Sequence, residues 1–286
     1  MRIFYDPQCA DYGSSMRPEQ PARITRSVAH LKSAHPDWEW IVPHAATDDD
    51  LRLVHTASHL ERLSQAQDFD SDTPHFSGIA DHARRAAGSA IAAATSALRC
   101  AGPAFSLMRP PGHHATANQA MGFCYLNSVA MAACHARERL MLKRVAVWDF
   151  DAHHGNGTEA IVHGRDGILF ASVHQSPGYP GTGTRSFDNC HNWPVAPQTP
   201  AVQHMISLRE SFDRVLSFSP ELILISAGFD AYLEDPITSM TLDLNDFGTL
   251  GSWLNEATVP AAAILEGGYS TDLPLLIDGF LSAWKK

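Results

Sequence analysis

Short, almost wholly apolar runs alternate with longer helical stretches along this chain, and that alternation restricts the fold more than any other feature. The strand candidates are residues 2–5, 104–108, 145–150, 168–173, 222–226 and 261–265. Helical patterns lie between them, notably at 82–99, 128–140, 202–216 and 246–256. A strand of nearly continuous Val, Ile, Leu and Ala is expected where both faces are covered by helices. Strands separated by helices read as a parallel sheet. The expected class is α/β, an open parallel sheet flanked by helices. With 286 residues, no internal repeat and no low-complexity linker, the chain is read as one domain over 1–286.

Five of the strand candidates run into polar or Gly-rich sequence. Met108 leads into Arg109-Pro-Pro-Gly-His-His, and Phe150 into Asp151-Ala-His-His-Gly-Asn-Gly. Val173 precedes His174-Gln-Ser-Pro-Gly-Tyr-Pro-Gly, Ser226 precedes Ala227-Gly-Phe-Asp230, and Leu265 precedes Glu266-Gly-Gly-Tyr269. In open parallel sheets the active site lies beyond the carboxyl ends of the strands. Five chemically loaded loops are thus expected to share one edge.

Alternate residues of an extended segment face the same way, so Asp149, Asp151 and His153 can line one side of a strand exit. Two carboxylates and an imidazole held together call for a cation between them. Asp230 arrives from another strand end. An Asp151/His153/Asp230 set leaves a coordination position open, as a catalytic zinc site needs, and its O/N donors also admit Fe(II) or Mn(II). Adjacent His113 and His114 suit general acid–base work beside such a site. Tyr269 can donate to a developing oxyanion. Phe123 and Tyr179 can wall an apolar slot. Each feature alone has a plainer reading, as a capped strand end, a core histidine or a packed aromatic. Their convergence on one edge favours chemistry.

The composition narrows the partners. A net charge of −10 and the lack of a Lys/Arg-rich run argue against nucleic acid and weakly favour cationic substrates. Five cysteines without a Cys-x-x-Cys pair argue against a disulfide framework or a thiolate metal site, and point to reduced thiols in a cytoplasm. No apolar run is long and unbroken enough to span a membrane, and MRIFYDPQ reads as neither signal peptide nor anchor.

The motifs Arg109-Pro-Pro-Gly-His-His-Ala, Gly122-Phe-Cys-Tyr-Leu-Asn, Trp148-Asp-Phe-Asp-Ala-His-His-Gly-Asn-Gly, Ser226-Ala-Gly-Phe-Asp and Leu265-Glu-Gly-Gly-Tyr together resemble the histone deacetylase family, in family order. Arg17-Pro-Glu-Gln-Pro-Ala-Arg23 is similar to that family's His-Pro-Glu-x-Pro-x-Arg segment, with Arg17 in place of the histidine. The resemblance implies the arginase/deacetylase fold, a parallel sheet of about eight strands, and assigns zinc to Asp151, His153 and Asp230. It implies that Asp149 orients His113 and Asn156 orients His114. Asn156 is like second-class and many bacterial members, where first-class nuclear enzymes carry Asp. It further implies a structural potassium ion near Asp149, Asp151, His153, Ser172 and Val173, and a tunnel that includes Gly122, Phe123 and Tyr179.

The substrate implied is an acylated lysine in a protein or peptide, or a small acylated amine. Asp72 matches the family's rim aspartate. Ile237 stands at the position where polyamine-selective relatives carry a glutamate, and an apolar residue there cannot attract a distal ammonium. Nearby Glu234 keeps acetylpolyamines open. Two rival readings are disfavoured. An arginase-like ureohydrolase needs a two-manganese site that these loops do not supply. An inactive acyl-lysine binder would be expected to have lost one of Asp151, His153, Asp230, His114 or Tyr269.

Overall fold

A computed structural model describes residues 1–100 and 102–285. Eight strands form one sheet: β1 (Arg2–Phe4), β2 (Glu39–Ile41), β3 (Ala104–Ser106), β4 (Val145–Asp149), β5 (Ile168–Gln175), β6 (Cys190–Val195), β7 (Leu222–Ala227) and β8 (Ala261–Leu265). Their order is β2-β1-β3-β8-β7-β4-β5-β6, and every pairing is parallel. Among the described residues the α-helices are α1 (Ala22–Ala34), α2 (Asp48–Leu51), α3 (Ala57–Leu63), α4 (Ile79–Cys100), α5 (Ser128–Glu138), α6 (Asn156–Val162), α7 (Ala201–Ser217), α8 (Leu244–Ala257) and α9 (Leu273–Trp284). None is long and apolar enough to cross a membrane.

The two faces of the sheet carry separate cores. Along β4, Ala146 and Trp148 pack with α1, α7, α8 and α9 side chains such as Leu31, Phe212, Phe247 and Phe280. Val145 and Val147 face the other way, toward α4 and α5 residues including Ala90, Val129 and Met131. This is the period-two alternation of a strand, with both sets apolar because both faces are covered. The fully buried Val145–Asp149 and Leu222–Ala227 are the result.

All six strands expected from the sequence form, with ends differing by up to two residues. Two more, β2 and β6, lie at the sheet edges. The β2 residues are all exposed or half-buried, those of β6 mix buried with half-buried and exposed positions, and Pro194 sits inside β6. An edge strand tolerates proline because one side of its backbone needs no ladder partner. The strands with chemically loaded ends, β3, β8, β7, β4 and β5, are five neighbours in the sheet. From β4 the chain proceeds outward to β5 and β6, then returns to β7 and β8 on the other side of β4. The sheet therefore has its topological switch between β7 and β4, where such folds open a crevice.

Candidate active site

Asp151 follows β4 and Asp230 follows β7, so the switch brings the two carboxylates together. Asp149 pairs in register with Ser226 on β7 and Ser172 on β5. The ligand atoms of Asp151, His153 and Asp230 all lie within 4.8 Å of one another. His153 Nδ1 is 2.8 Å from Asp230 Oδ2 and 3.2 Å from Asp151 Oδ1. The remaining oxygens are held by backbone donors: Gly267 N–H donates to Asp151 Oδ2 at 2.7 Å, and Ala152 N–H to Asp230 Oδ1 at 2.7 Å. A Cβ at Gly267 would collide with both carboxylates, so only glycine admits this approach.

This donor set fits a divalent cation. Tetrahedral donors about 2 Å from zinc stand about 3.3 Å apart, close to the spacing around His153 Nδ1. Both carboxylates are fully buried, a placement that is costly without a positive partner. Burial works against a charged His153, yet the Asp230 and Asp151 carboxylates hold it well above the usual imidazole range. Asp151 lies well below the carboxylate range; burial opposes this, and His113 and His153 outweigh it. A bound cation would take the place of the proton between them.

His113 and His114 sit beside this cluster with ring centroids 4.0 Å apart. His113 Nδ1 is 3.1 Å from Asp149 Oδ2, and Nε2 is 3.8 Å from Asp151 Oδ1. Burial disfavours its charge, but Asp151 and Asp149 raise its pKa to about 10. His114 is different. Its Nδ1 is 2.7 Å from the Asn156 amide oxygen. Burial pushes its pKa well below the usual value, and the neighbouring His113 and His153 reinforce this. An amide oxygen can only accept, so Nδ1 carries the hydrogen and Nε2 keeps its lone pair.

Above the pair is a cavity of about 310 Å³. His114, His153 and Tyr269 line its inner part, and Gly122, Phe123, Tyr179, Ile237 and Asp72 its walls and mouth. The five tunnel and rim residues expected from the sequence thus share one cavity. Glu234 is exposed and is not among its lining residues. Gly122 has φ +55°, and a Cβ there would press on the His114 and Tyr179 rings. Tyr269 stacks edge-on against Phe123 at 5.7 Å, and the Arg23 guanidinium lies 4.7 Å from its ring centre. Burial raises its pKa well above the phenol range, which keeps the hydroxyl a donor.

Ser172 and Val173, expected near a potassium ion, are buried on β5, and the Ser172 hydroxyl is 2.9 Å from His174 Nδ1. Several supporting residues were not singled out by sequence. Asp235 accepts from Tyr269 N–H at 2.8 Å and Ile237 N–H at 3.0 Å, joining the Tyr269 loop to the pocket wall. Glu266 Oε2 accepts from Gly112 N–H at 2.6 Å and His113 N–H at 3.0 Å. Glu19 binds both Arg109 and Arg23, while Arg23 donates to the Gly268 carbonyl at 2.7 Å and to the Glu266 carbonyl. Arg17 lines the cavity mouth. The Arg17–Arg23 segment was legible as a motif, but its destination was not.

A cluster of O and N donors beside a histidine pair, at the switch point of a parallel sheet, makes this edge a candidate cation site. Residues 17–276 match the family model described as histone deacetylase domain. The chain is 34% identical over 302 residues to a "Probable deacetylase" of Methanothermobacter thermautotrophicus, covering 95% of this chain and 86% of that protein. It is 35% identical over 214 residues to "Acetylpolyamine amidohydrolase 1" of Pseudomonas aeruginosa, covering 71% of this chain and 62% of that protein. Among solved structures, the HDA15 HD domain superposes with a TM-score of 0.92 at 28% identity, covering 99% of this chain and 90% of that one. The chain belongs to the histone deacetylase family and is a hydrolase of the deacetylase type.

Proposed function

We propose that this protein is a zinc-dependent deacylase that cleaves acyl amides of lysine side chains or related primary amines. The observation that carries the reading is one cavity lined by His114, Tyr269 and His153, through which it meets the Asp151/His153/Asp230 cluster. Asp151, His153 and Asp230 would hold the ion, which when bound supplies a Lewis acid for the acyl carbonyl and lowers the pKa of water. Fe(II) fits the same donors. Asp149, Asp151, His153, Ser172 and Val173 are proposed to hold a structural potassium ion.

The chain's own residues divide the remaining work. Phe123 and Tyr179 wall the acyl-amine chain and exclude water from the amide. His114 Nε2 accepts the proton of the attacking water and later delivers it to the leaving amine nitrogen. Asn156 holds the His114 tautomer that makes this possible. His113, charged against Asp149, stabilises the anionic transition state and discourages a second positive charge on His114. The Tyr269 hydroxyl donates to the oxyanion, and Asp235 and Arg23 hold the loop that presents it.

Ile237 on the wall, with Glu234 away from the cavity, supports acyl-lysine or another small amide over polyamines. The likeness to an acetylpolyamine amidohydrolase favours that second reading. Purified protein should deacetylate a fluorogenic acetyl-lysine peptide, lose activity on chelation and regain it with zinc. Absence of cleavage across acetyl-lysine peptides and acetylpolyamines in zinc-loaded protein would overturn the proposal.

A further inference from the structure

The cavity mouth carries two charges of opposite sign. Among the described lining residues Arg17 is the one permanent cation and Asp72 the one carboxylate. The Arg17 guanidinium and the backbone that carries Asp72 are both held in place. Both Arg17 terminal nitrogens donate to the Ser71 carbonyl at 3.1 Å, which ties the guanidinium to the residue next to Asp72. Asp70 Oδ1 accepts from the N–H groups of Asp72 at 2.9 Å and Thr73 at 2.6 Å, closing the rim turn. Thr73 Oγ1 accepts from Phe123 N–H at 3.2 Å, fixing the rim to the apolar wall. Arg17 is half-buried and, among the described residues, meets only that carbonyl as an acceptor. Three of its five N–H donors remain for a ligand.

A chain reaching from His114 to this mouth passes the apolar walls of Phe123, Tyr179 and Ile237, then meets a cation and an anion that line the same cavity. A polyamine offers only positive charge there, and Arg17 repels it. An acyl-lysine within a polypeptide offers neutral peptide N–H and C=O groups, which can hydrogen-bond these charges but bring no opposite charge to either. A free α-amino acid offers a carboxylate for Arg17, which a guanidinium binds through two parallel N–H bonds, and an ammonium for Asp72.

We infer that the substrate is a free α-amino acid whose terminal side-chain amine is acylated, with its α-carboxylate on Arg17 and its α-ammonium on Asp72. This rests on the deacylase reading above. The reaction balances as hydrolysis: water breaks the acyl C–N bond, the acyl carbon takes the hydroxyl, and the amine nitrogen takes the proton. Acid and free diamino acid leave.

Three probes test it on the zinc-loaded protein: Nε-acetyl-L-lysine, the same molecule with its α-amine acetylated and α-carboxyl amidated, and N-acetylcadaverine, which lacks the carboxylate. The free amino acid should have a kcat/KM on the order of ten-fold above either of the others, as expected for one charge-assisted pair near a surface. R17Q should collapse that preference through KM. Calorimetry on metal-free protein gives a readout independent of turnover: R17Q should weaken Nε-acetyl-L-lysine binding on the order of ten-fold relative to the capped form. Equal or better cleavage of the capped molecule, or an R17Q effect equal on all three probes, overturns the inference and leaves the deacylase reading standing. Cleavage of none of the three overturns both.

Discussion

An imidazole acts as a base at neutral pH only while one ring nitrogen keeps its lone pair. At His114 the Asn156 oxygen occupies Nδ1, and burial beside His113 and His153 resists protonation of Nε2. His114→Ala should therefore lower kcat roughly 10²–10⁴-fold with intact folding by circular dichroism, and full turnover would remove His114 from the mechanism. Asn156→Asp puts a carboxylate where an amide stands. A carboxylate favours the imidazolium, so the base pKa rises, and the acidic limb of the pH–rate profile moves to higher pH by about one unit. An unmoved limb would show that Asn156 does not set the His114 charge. His113, His114, Asn156 and Tyr269 were all legible in sequence because each stands in a short motif at a strand end. The contacts of Asp235 and Glu19 and the mouth position of Arg17 were not, because their partners lie on other elements.

Between elements, the buried Glu19 carboxylate joins the guanidiniums of Arg23 and Arg109, and so links the segment before α1 to the loops after β3 and β8. Burial penalises its charge, but Arg109 and Arg23 outweigh that and hold its pKa below the usual carboxylate value. Glu19→Gln leaves two guanidiniums in a site built for an anion. Removing one partner of a buried pair typically costs about 3–5 kcal/mol, which urea unfolding would detect. A loss under about 1 kcal/mol would mean that solvent reaches the network. The central strands were legible because covered faces demand unbroken apolar runs. The edges β2 and β6 were not, because a half-solvated strand may carry polar residues and even Pro194.

For the molecule as a whole, a cation that binds only the folded state raises its stability by mass action. Chelation should lower the thermal midpoint and zinc should restore it, in a scan at fixed protein concentration. No change would argue against a resident ion at Asp151, His153 and Asp230. Acid sensitivity has a separate origin. Among the described residues neither ring nitrogen of the buried His204 has a partner, and burial lowers its pKa to about 4. The unfolded chain takes up this proton near pH 6.5, while the folded chain resists until near pH 4. Stability is thus complete above about pH 6.5 and falls as the pH drops through that window, by roughly 3 kcal/mol at most for this residue. His204→Leu should flatten that part of the stability–pH curve; an unchanged slope would place the sensitivity elsewhere.

The α/β class, the central strands and the identity of the chemical loops are readable along the chain, since hydrophobic period and short motifs are local properties. The same motifs mark Asp151, His153 and Asp230 as a cation-binding set. Only the tertiary structure decided which strands are neighbours, and hence that the five loaded loops adjoin. It alone brought Arg17 across to Ser71 beside Asp72, and set Asp235 beneath the Tyr269 loop. Those meetings depend on strand order and crossover packing, in which residues distant along the chain become neighbours by burying surface that no local pattern records.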